Sequence, residues 1–163
     1  TRDETRRLLD QIRTKIPEIA IRTTFLVGHP GETDADFQTL LDFVEEQQFE
    51  RLGVFQYSHE ESTRAYEVPD DVPEDVKAER AQQLMEVQQE ISLQKNEAKV
   101  GKLFKTLFDR KEGAYFIGRT EADSPEVDNE VLVDAKSNYV RIGDFANIRI
   151  TGAEEFDLFG IPE

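Results

Sequence analysis

The chain has no cysteine and only two histidines, His29 and His59, and these absences exclude much before any motif is read. Without cysteine there is no disulfide framework and no thiolate-held zinc or iron-sulfur centre built from this chain. Neither histidine belongs to an H-x-x-x-H or similar pair, so each lacks the partners a metal site needs and reads as a loop residue at a strand end. Long apolar runs are missing too. The longest extend over a few residues, far short of the roughly 20 that a membrane helix requires. The stretch TRDETRRLLDQ is charged and carries no apolar signal-type region, so a cytoplasmic location is expected. Positive charge is scarce, with 20 Lys and Arg against 35 Asp and Glu and a formal net charge of -15. That balance disfavours a polyphosphate backbone as the main partner and favours a basic one, beside the ordinary solubilising role of surface charge.

What is present suits one or two small domains, since 37% of the 163 residues are hydrophobic, enough for a packed core. Leu8, Leu9, Ile12 and Ile16 recur at helical spacing before Pro17 and predict a helix that covers something. IAIRTTFLV then reads as a buried strand ended by Gly28, Pro30 and Gly31. Thr33 with Asp36 resembles a capping box, and Phe37, Leu40, Leu41 and Val44 follow at amphipathic spacing to a helix end near Gln48. RLGVFQYS is a second strand, so strand, helix and strand succeed one another in the order of a right-handed βαβ unit with parallel strands.

After the polar stretch HEESTRAYEVPDDV, Pro73, Glu74 and Asp75 open a long helix. Val76, Leu84, Val87, Ile91 and Ala98 are expected to form its buried stripe, with Glu, Gln, Lys and Arg on the rest. From Gly101 onward the apolar residues come in short runs: KLFKTLFD, AYFIGR, EVLVDA, YVRIG and ANIRIT. These predict a small antiparallel OB-like β-barrel. A domain boundary is therefore expected near Val100, giving an α/β part over residues 1–98 and a barrel over 99–163. The first part holds 22 acidic and 11 basic residues and the second 13 and 9, so most of the negative charge lies on the α/β part. Two parallel strands cannot make a sheet covered on both faces, and the expectation is that the chain is the C-terminal piece of a larger protein supplying the missing strands.

The strand end RTTFLVGHPGET lacks the lysine of a phosphate-binding G-x-x-x-x-G-K-[ST] loop, and Glu32 stands where an anion would be repelled. A backbone-based ligand site remains. Arg22, Thr24, Leu26 and Gly28 alternate onto one side of the strand, with Thr23, Phe25 and Val27 on the other. Arg22 is expected either to pair with an acid of the missing part or to face a ligand carboxylate. Gly28 would let a flat ligand approach the main chain at the C-terminal strand edge, where ligands bind in α/β folds. Pro30 follows in the same turn, and Phe55 and Tyr57 end the second strand on the same edge and are candidates for the same pocket, with core packing as the alternative. In the barrel, Tyr115, Phe116, Tyr139, Phe156 and Phe159 could stack on bases, but Glu121, Asp123, Glu126, Asp128, Glu154, Glu155 and Asp157 surround them, so protein recognition fits better.

RTTFLVGHPGETDADF, RLGVFQYSHEESTRA, VPEDVKAERAQQLMEVQQEISLQKNEAKVGK and FIGRTEADSPEVDNEVLV together resemble the radical S-adenosylmethionine methylthiotransferases over nearly the whole chain. The resemblance implies the C-terminal part of an open radical-type (β/α) barrel followed by the small β-barrel called a TRAM domain. GRTEADSPEVDNEV and ANIRITGAEEFDLFG resemble most the type that adds a methylthio group to the β-carbon of an aspartate of small-subunit ribosomal protein twelve, with Phe156 and Phe159 in place of the usual tyrosines. A tRNA-modifying sister type is the alternative, as is a non-catalytic acidic interaction module. The resemblance further implies S-adenosylmethionine and two 4Fe-4S clusters in the full-length protein. None is held by this cysteine-free chain, which is expected to be inactive alone. Thr24, Leu26 and Gly28 match the family's S-adenosylmethionine-binding element loosely: Thr24 replaces a glycine, Glu32 falls one position late, His29 replaces a phenylalanine and Ser62 a glycine. The substrate partner so implied is basic, which an acidic surface would attract.

An open strand edge beside Arg22 to Val27 predicts self-association, because unpaired edges template pairing. Light scattering across a concentration series should show growing species; a concentration-independent monomer would contradict this.

Overall fold

The computed structural model describes residues 2–125 and 127–163, so Glu126 lies outside the described residues. The chain divides into two compact units, Thr1–Ile91 and Ser92–Glu163. No helix among the described residues is long and apolar enough to cross a membrane.

The first unit begins with α1 (Arg2–Lys15), then β1 (Arg22–Val27), α2 (Asp34–Gln47) and β2 (Arg51–Gln56). β1 and β2 pair in parallel, with Leu26 opposite Phe55, as the βαβ reading requires. The capping box expected at Thr33 is formed: the Asp36 N–H donates to Thr33 Oγ1 at 3.2 Å, and the Thr33 N–H donates to Asp36 Oδ2 at 3.0 Å. The Thr33 hydroxyl, which donates to Asp36 Oδ2 at 2.6 Å, and then the Thr33 N–H hold the Asp36 carboxyl below its ordinary pKa. At the other end Gln48 adopts a left-handed conformation and its N–H donates to the Val44 carbonyl, closing the last turn.

Phe37, Phe43 and Val44 of α2 are buried with Leu9, Val27, Phe49, Leu84 and Ile91 in one core. Phe25 meets Phe43 and Phe49 edge-on at centroid distances of 6.5 and 6.0 Å. α1 departs from its expected stripe. Leu9 is buried and Ile12 half-buried, but Leu8 and Ile16 are exposed. The inward line runs Arg6, Leu9, Ile12 and Arg13, because Arg6 bonds Glu46 and Arg13 bonds Gln47 across to α2.

A short 3₁₀ turn, Arg64–Glu67, precedes the long helix α3 (Glu74–Glu97). Its buried line also differs from the expected one. Ala98 is exposed and Val76 only half-buried, while Lys77, Arg80, Gln88, Ser92 and Asn96 are buried beside Leu84 and Ile91. Five of these seven buried residues are polar, and the partners of these polar groups explain it. Gln88 Nε2 donates to the Phe49 carbonyl at 3.1 Å, and Asn96 Nδ2 donates to the Glu154 carbonyl at 2.9 Å.

The second unit is a closed barrel in the order β3-β4-β5-β7-β6, from β3 (Leu103–Glu112), β4 (Tyr115–Arg119), β5 (Glu130–Asp134), β6 (Phe145–Ala153) and β7 (Asp157–Pro162). Closure leaves no unpaired edge in the barrel. Two expectations are corrected here. The barrel is mixed, since β5 and β7 run parallel. YVRIG is not a strand: Arg141 to Gly143 turn, with Gly143 left-handed at φ 85°, and only Val140 of the run is buried in the core. The fifth strand is instead DLFGIP, whose Gly160 lets β7 approach β6, because a Cβ there would lie 2.3 Å from Ile148 Cγ2. Phe108, Val131, Val133, Ile148, Ile150 and Leu158 fill the interior.

Removing the α2 cap tests this assembly. Thr33→Ala should cost about 1 kcal/mol in a denaturant titration; an unchanged midpoint would show that the cap does not hold the helix start.

Candidate functional site: the strand edge under the long helix

The alternation of β1 and β2 gives the sheet two unlike faces. Phe25 and Val27 join the core under the helices, whereas Thr24, Leu26 and Phe55 are exposed on the opposite face. Leu26 is 48% and Phe55 63% exposed, and their cross-strand register sets them side by side. Arg22 is exposed at the start of β1, six positions before Gly28, so it is not brought to the C-terminal edge.

At that edge Gly28 is left-handed, at φ 77°, and its N–H donates to Glu32 Oε1 at 3.0 Å. The acid that argues against a phosphate loop therefore closes the turn from within. Arg80 of α3 holds the same carboxylate at 2.8 Å and reaches Asp34 at 2.7 Å, with its guanidinium over the Phe37 ring. Pro30 is buried, and its carbonyl lies 3.0 Å from His29 Nδ1. The Gly31 N–H donates to Asp71 Oδ1 at 2.7 Å, so the turn is also tied to the stretch before α3.

Tyr57 follows β2 and is 7% exposed. Its N–H donates to the Val27 carbonyl at 2.8 Å, which carries the sheet pairing to the strand ends. Its ring lies 5.4 Å from that of His29, and its hydroxyl lies 3.1 Å from His59 Nδ1. Ser62 is left-handed at φ 72°.

Lys77 joins these pieces. It is 0% exposed, and its Nζ donates to Asp70 Oδ2 at 2.6 Å and to Glu74 Oε1 at 2.7 Å. Nζ also sits 5.4 Å from the Tyr57 ring centroid. The hydrogen bonds to Asp70 and Glu74 raise the lysine pKa above its ordinary value, and the bond to Lys77 lowers that of Asp70. For Asp70 the folded-state pKa lies below the unfolded one, so the stability it supplies is present above the ordinary carboxyl range. That stability is lost as pH falls through the depressed value. The space that a side chain at Gly28 would need is filled by the lysine stem, with Cγ 2.3 Å from where a Cβ would stand.

The edge thus brings together Gly28, Pro30 and Tyr57, with Thr24, Leu26 and Phe55 on the adjoining open face. Lys77, Arg80, Asp70 and the structural use of Glu32 were missed from sequence. The signal was present: Lys77, Arg80, Leu84, Gln88 and Ile91 share one helical line, but a stripe sought only in apolar residues skips three of them. Among the described residues no group of three or more His, Cys, Asp or Glu could hold a metal ion. In the barrel, Phe116 is core, Tyr139 is exposed and meets Phe116 edge-on at 6.1 Å, and Tyr115 meets Phe159 at 6.2 Å. Asp123 is buried and accepts from Thr120 Oγ1 at 2.6 Å, so not every acid near these rings is a surface charge.

Comparison with known proteins identifies residues 100–162 as matching the TRAM domain family. The chain is 60% identical over 159 residues to the ribosomal protein uS12 methylthiotransferase RimO of Cytophaga hutchinsonii, covering 98% of this chain and 36% of that protein. It is 56% identical over 162 residues to the RimO of Flavobacterium johnsoniae, covering 99% and 37%. Along nearly its whole length the chain is similar to a part of these RimO proteins. The RimO of Chloroherpeton thalassium shares 50% identity over 160 residues, covering 96% of the chain and 37% of the relative. The chain thus spans little more than a third of the length of the RimO proteins it matches. The resemblance drawn from the motifs is borne out, as is the fold class of an α/β part with a small TRAM barrel.

The contact between Gly28 and Lys77 makes a double-mutant cycle the direct check of this geometry. Gly28→Ala should cost about 2–4 kcal/mol, from the left-handed backbone and the clash together. In a Lys77→Ala background the clash disappears, so the same change should cost at least about 1 kcal/mol less. Additive effects in denaturant titrations would contradict the packing.

Proposed function

We propose that the chain is the C-terminal part of a ribosomal protein uS12 methylthiotransferase, with residues 1–98 supplying one wall of an S-adenosylmethionine pocket and residues 99–163 recognising the protein substrate. The observation that carries this reading is the identity of 60% along 98% of the chain to a protein bearing that name. The residues present fit an adenosyl group. Leu26 and Phe55 offer adjacent exposed apolar contacts, and the left-handed Gly28 begins a turn whose backbone lies at the C-terminal strand edge. Thr24 stands on the same face. When bound, S-adenosylmethionine would supply a radical for hydrogen abstraction at the aspartate β-carbon. The chain has no cysteine, so the thiolate ligands of both 4Fe-4S clusters would come from elsewhere in the longer protein, and the chain alone would be inactive.

For the substrate, a net charge of -15 favours encounter with a basic protein and opposes a polyphosphate. The turn at Gly28 is likewise built against anions, because its donor is already engaged by Glu32.

The longer protein that contains this chain should bind purified uS12, and deleting residues 99–163 should abolish that binding in calorimetry. Undiminished affinity after the deletion, or salt-steep tRNA binding in place of uS12 binding, would overturn the reading.

A further inference from the structure

Complete burial of a lysine is uncommon, and the position of Lys77 is more unusual than its burial. Its stem occupies the space over Gly28 at the end of β1. Its ammonium meets the Tyr57 ring beyond the end of β2 and bonds Asp70 in the segment leading to α3. One side chain therefore touches all three segments that border the strand edge. A methionine or leucine would fill the same volume without a charge to desolvate, and buried ion pairs seldom stabilise a fold more than well-packed apolar residues do. Packing alone thus leaves the ammonium unexplained. What the charge adds is direction: it pins the face of Tyr57 and the carboxylate of Asp70 at fixed points, and through Tyr57 it meets the histidine at 29.

The geometry points to Lys77 as a positioning residue for ligand binding at this edge, a role that rests on the S-adenosylmethionine reading above. Lys77 need not touch the ligand. Its ammonium orients Tyr57, while its stem sets the Gly28 turn, so that the backbone at 28–30 and the open faces of Leu26 and Phe55 present one fixed surface. Glu74, with its side chain 80% exposed, adds charge balance without joining another segment, whereas Asp70 lies seven positions away and ties the preceding loop.

The test uses the longer, cluster-loaded protein, with S-adenosylmethionine binding by calorimetry and melting temperature measured on each variant. Lys77→Met keeps the stem and removes the charge. It should weaken binding about tenfold while the melting temperature moves by a few degrees. Asp70→Asn should weaken binding in the same direction by a smaller factor, since Lys77 retains Glu74, and it decides the matter if Lys77→Met fails to fold. Leu84→Ala, a core truncation on the same helix, should lower the melting temperature and leave the affinity unchanged. Wild-type affinity in both Lys77→Met and Asp70→Asn would overturn the positioning role alone. A wild-type protein that does not bind S-adenosylmethionine would overturn the pocket reading, and this inference with it.

Discussion

The strand edge of the first unit is organised around one buried ammonium group, that of Lys77, between the ends of two parallel strands and the loop that leads into α3. A two-stranded parallel sheet is a weak object, and parallel strands are ordinarily covered on both faces. Here one face is covered by α2 and α3 through Phe37, Phe43, Val44 and Leu84. The strand ends, where the chain leaves the sheet and its backbone groups lose their ladder partners, are organised by polar side chains of α3. Arg80 secures the β1–α2 turn through Glu32 and Asp34, and Lys77 secures Tyr57 and Asp70. Glycine at 28 follows from this arrangement: the turn is left-handed, and the lysine stem already occupies the side-chain space.

The barrel answers the same problem of backbone satisfaction by closure. Its strands have no free edge, and the bends that closure requires fall at register shifts between Phe108 and Arg110 and between Ile150 and Gly152. Ser92 and Asn96, in the last turns of α3, donate to the carbonyls of Glu155 and Glu154, in the turn between β6 and β7. Ser92 and Asn96 belong to the second unit, and there they serve barrel carbonyls. The stripe of α3 is polar in both places because backbone and carboxylate acceptors, rather than apolar surface, wait for it there.

Much of this was legible in the sequence where apolar periodicity and turn chemistry agreed. The capping box at Thr33 and the parallel pairing of β1 with β2 follow from local patterns, and the structure has them. What periodicity could not carry was polarity at buried positions. Lys77, Arg80, Gln88, Ser92 and Asn96 look like a solvated face until their partners, distant in the chain, are known. YVRIG failed for the opposite reason. Its alternation is strand-like, yet the left-handed Gly143 and the bond from its N–H to the Phe108 carbonyl make it a turn that plugs the barrel with Val140. At the candidate site, the shared side of Thr24, Leu26 and Gly28 and the glycine end of the strand were readable from strand alternation, whereas the pairing of Leu26 with Phe55 came from the register. The lysine that shapes them was not, because its contacts span the sequence from Gly28 to Asp70.

Native-state hydrogen exchange tests the dependence of the strand edge on α3 most directly. The amides of Gly28, Gly31 and Tyr57 are bonded to Glu32, Asp71 and Val27. If the buried lysine makes the edge and the helix one cooperative unit, these three amides should exchange with the same opening free energy as α3 amides around Leu84. Rapid exchange at Gly28 and Tyr57 beside a protected α3 would contradict it, showing that the edge opens without the helix.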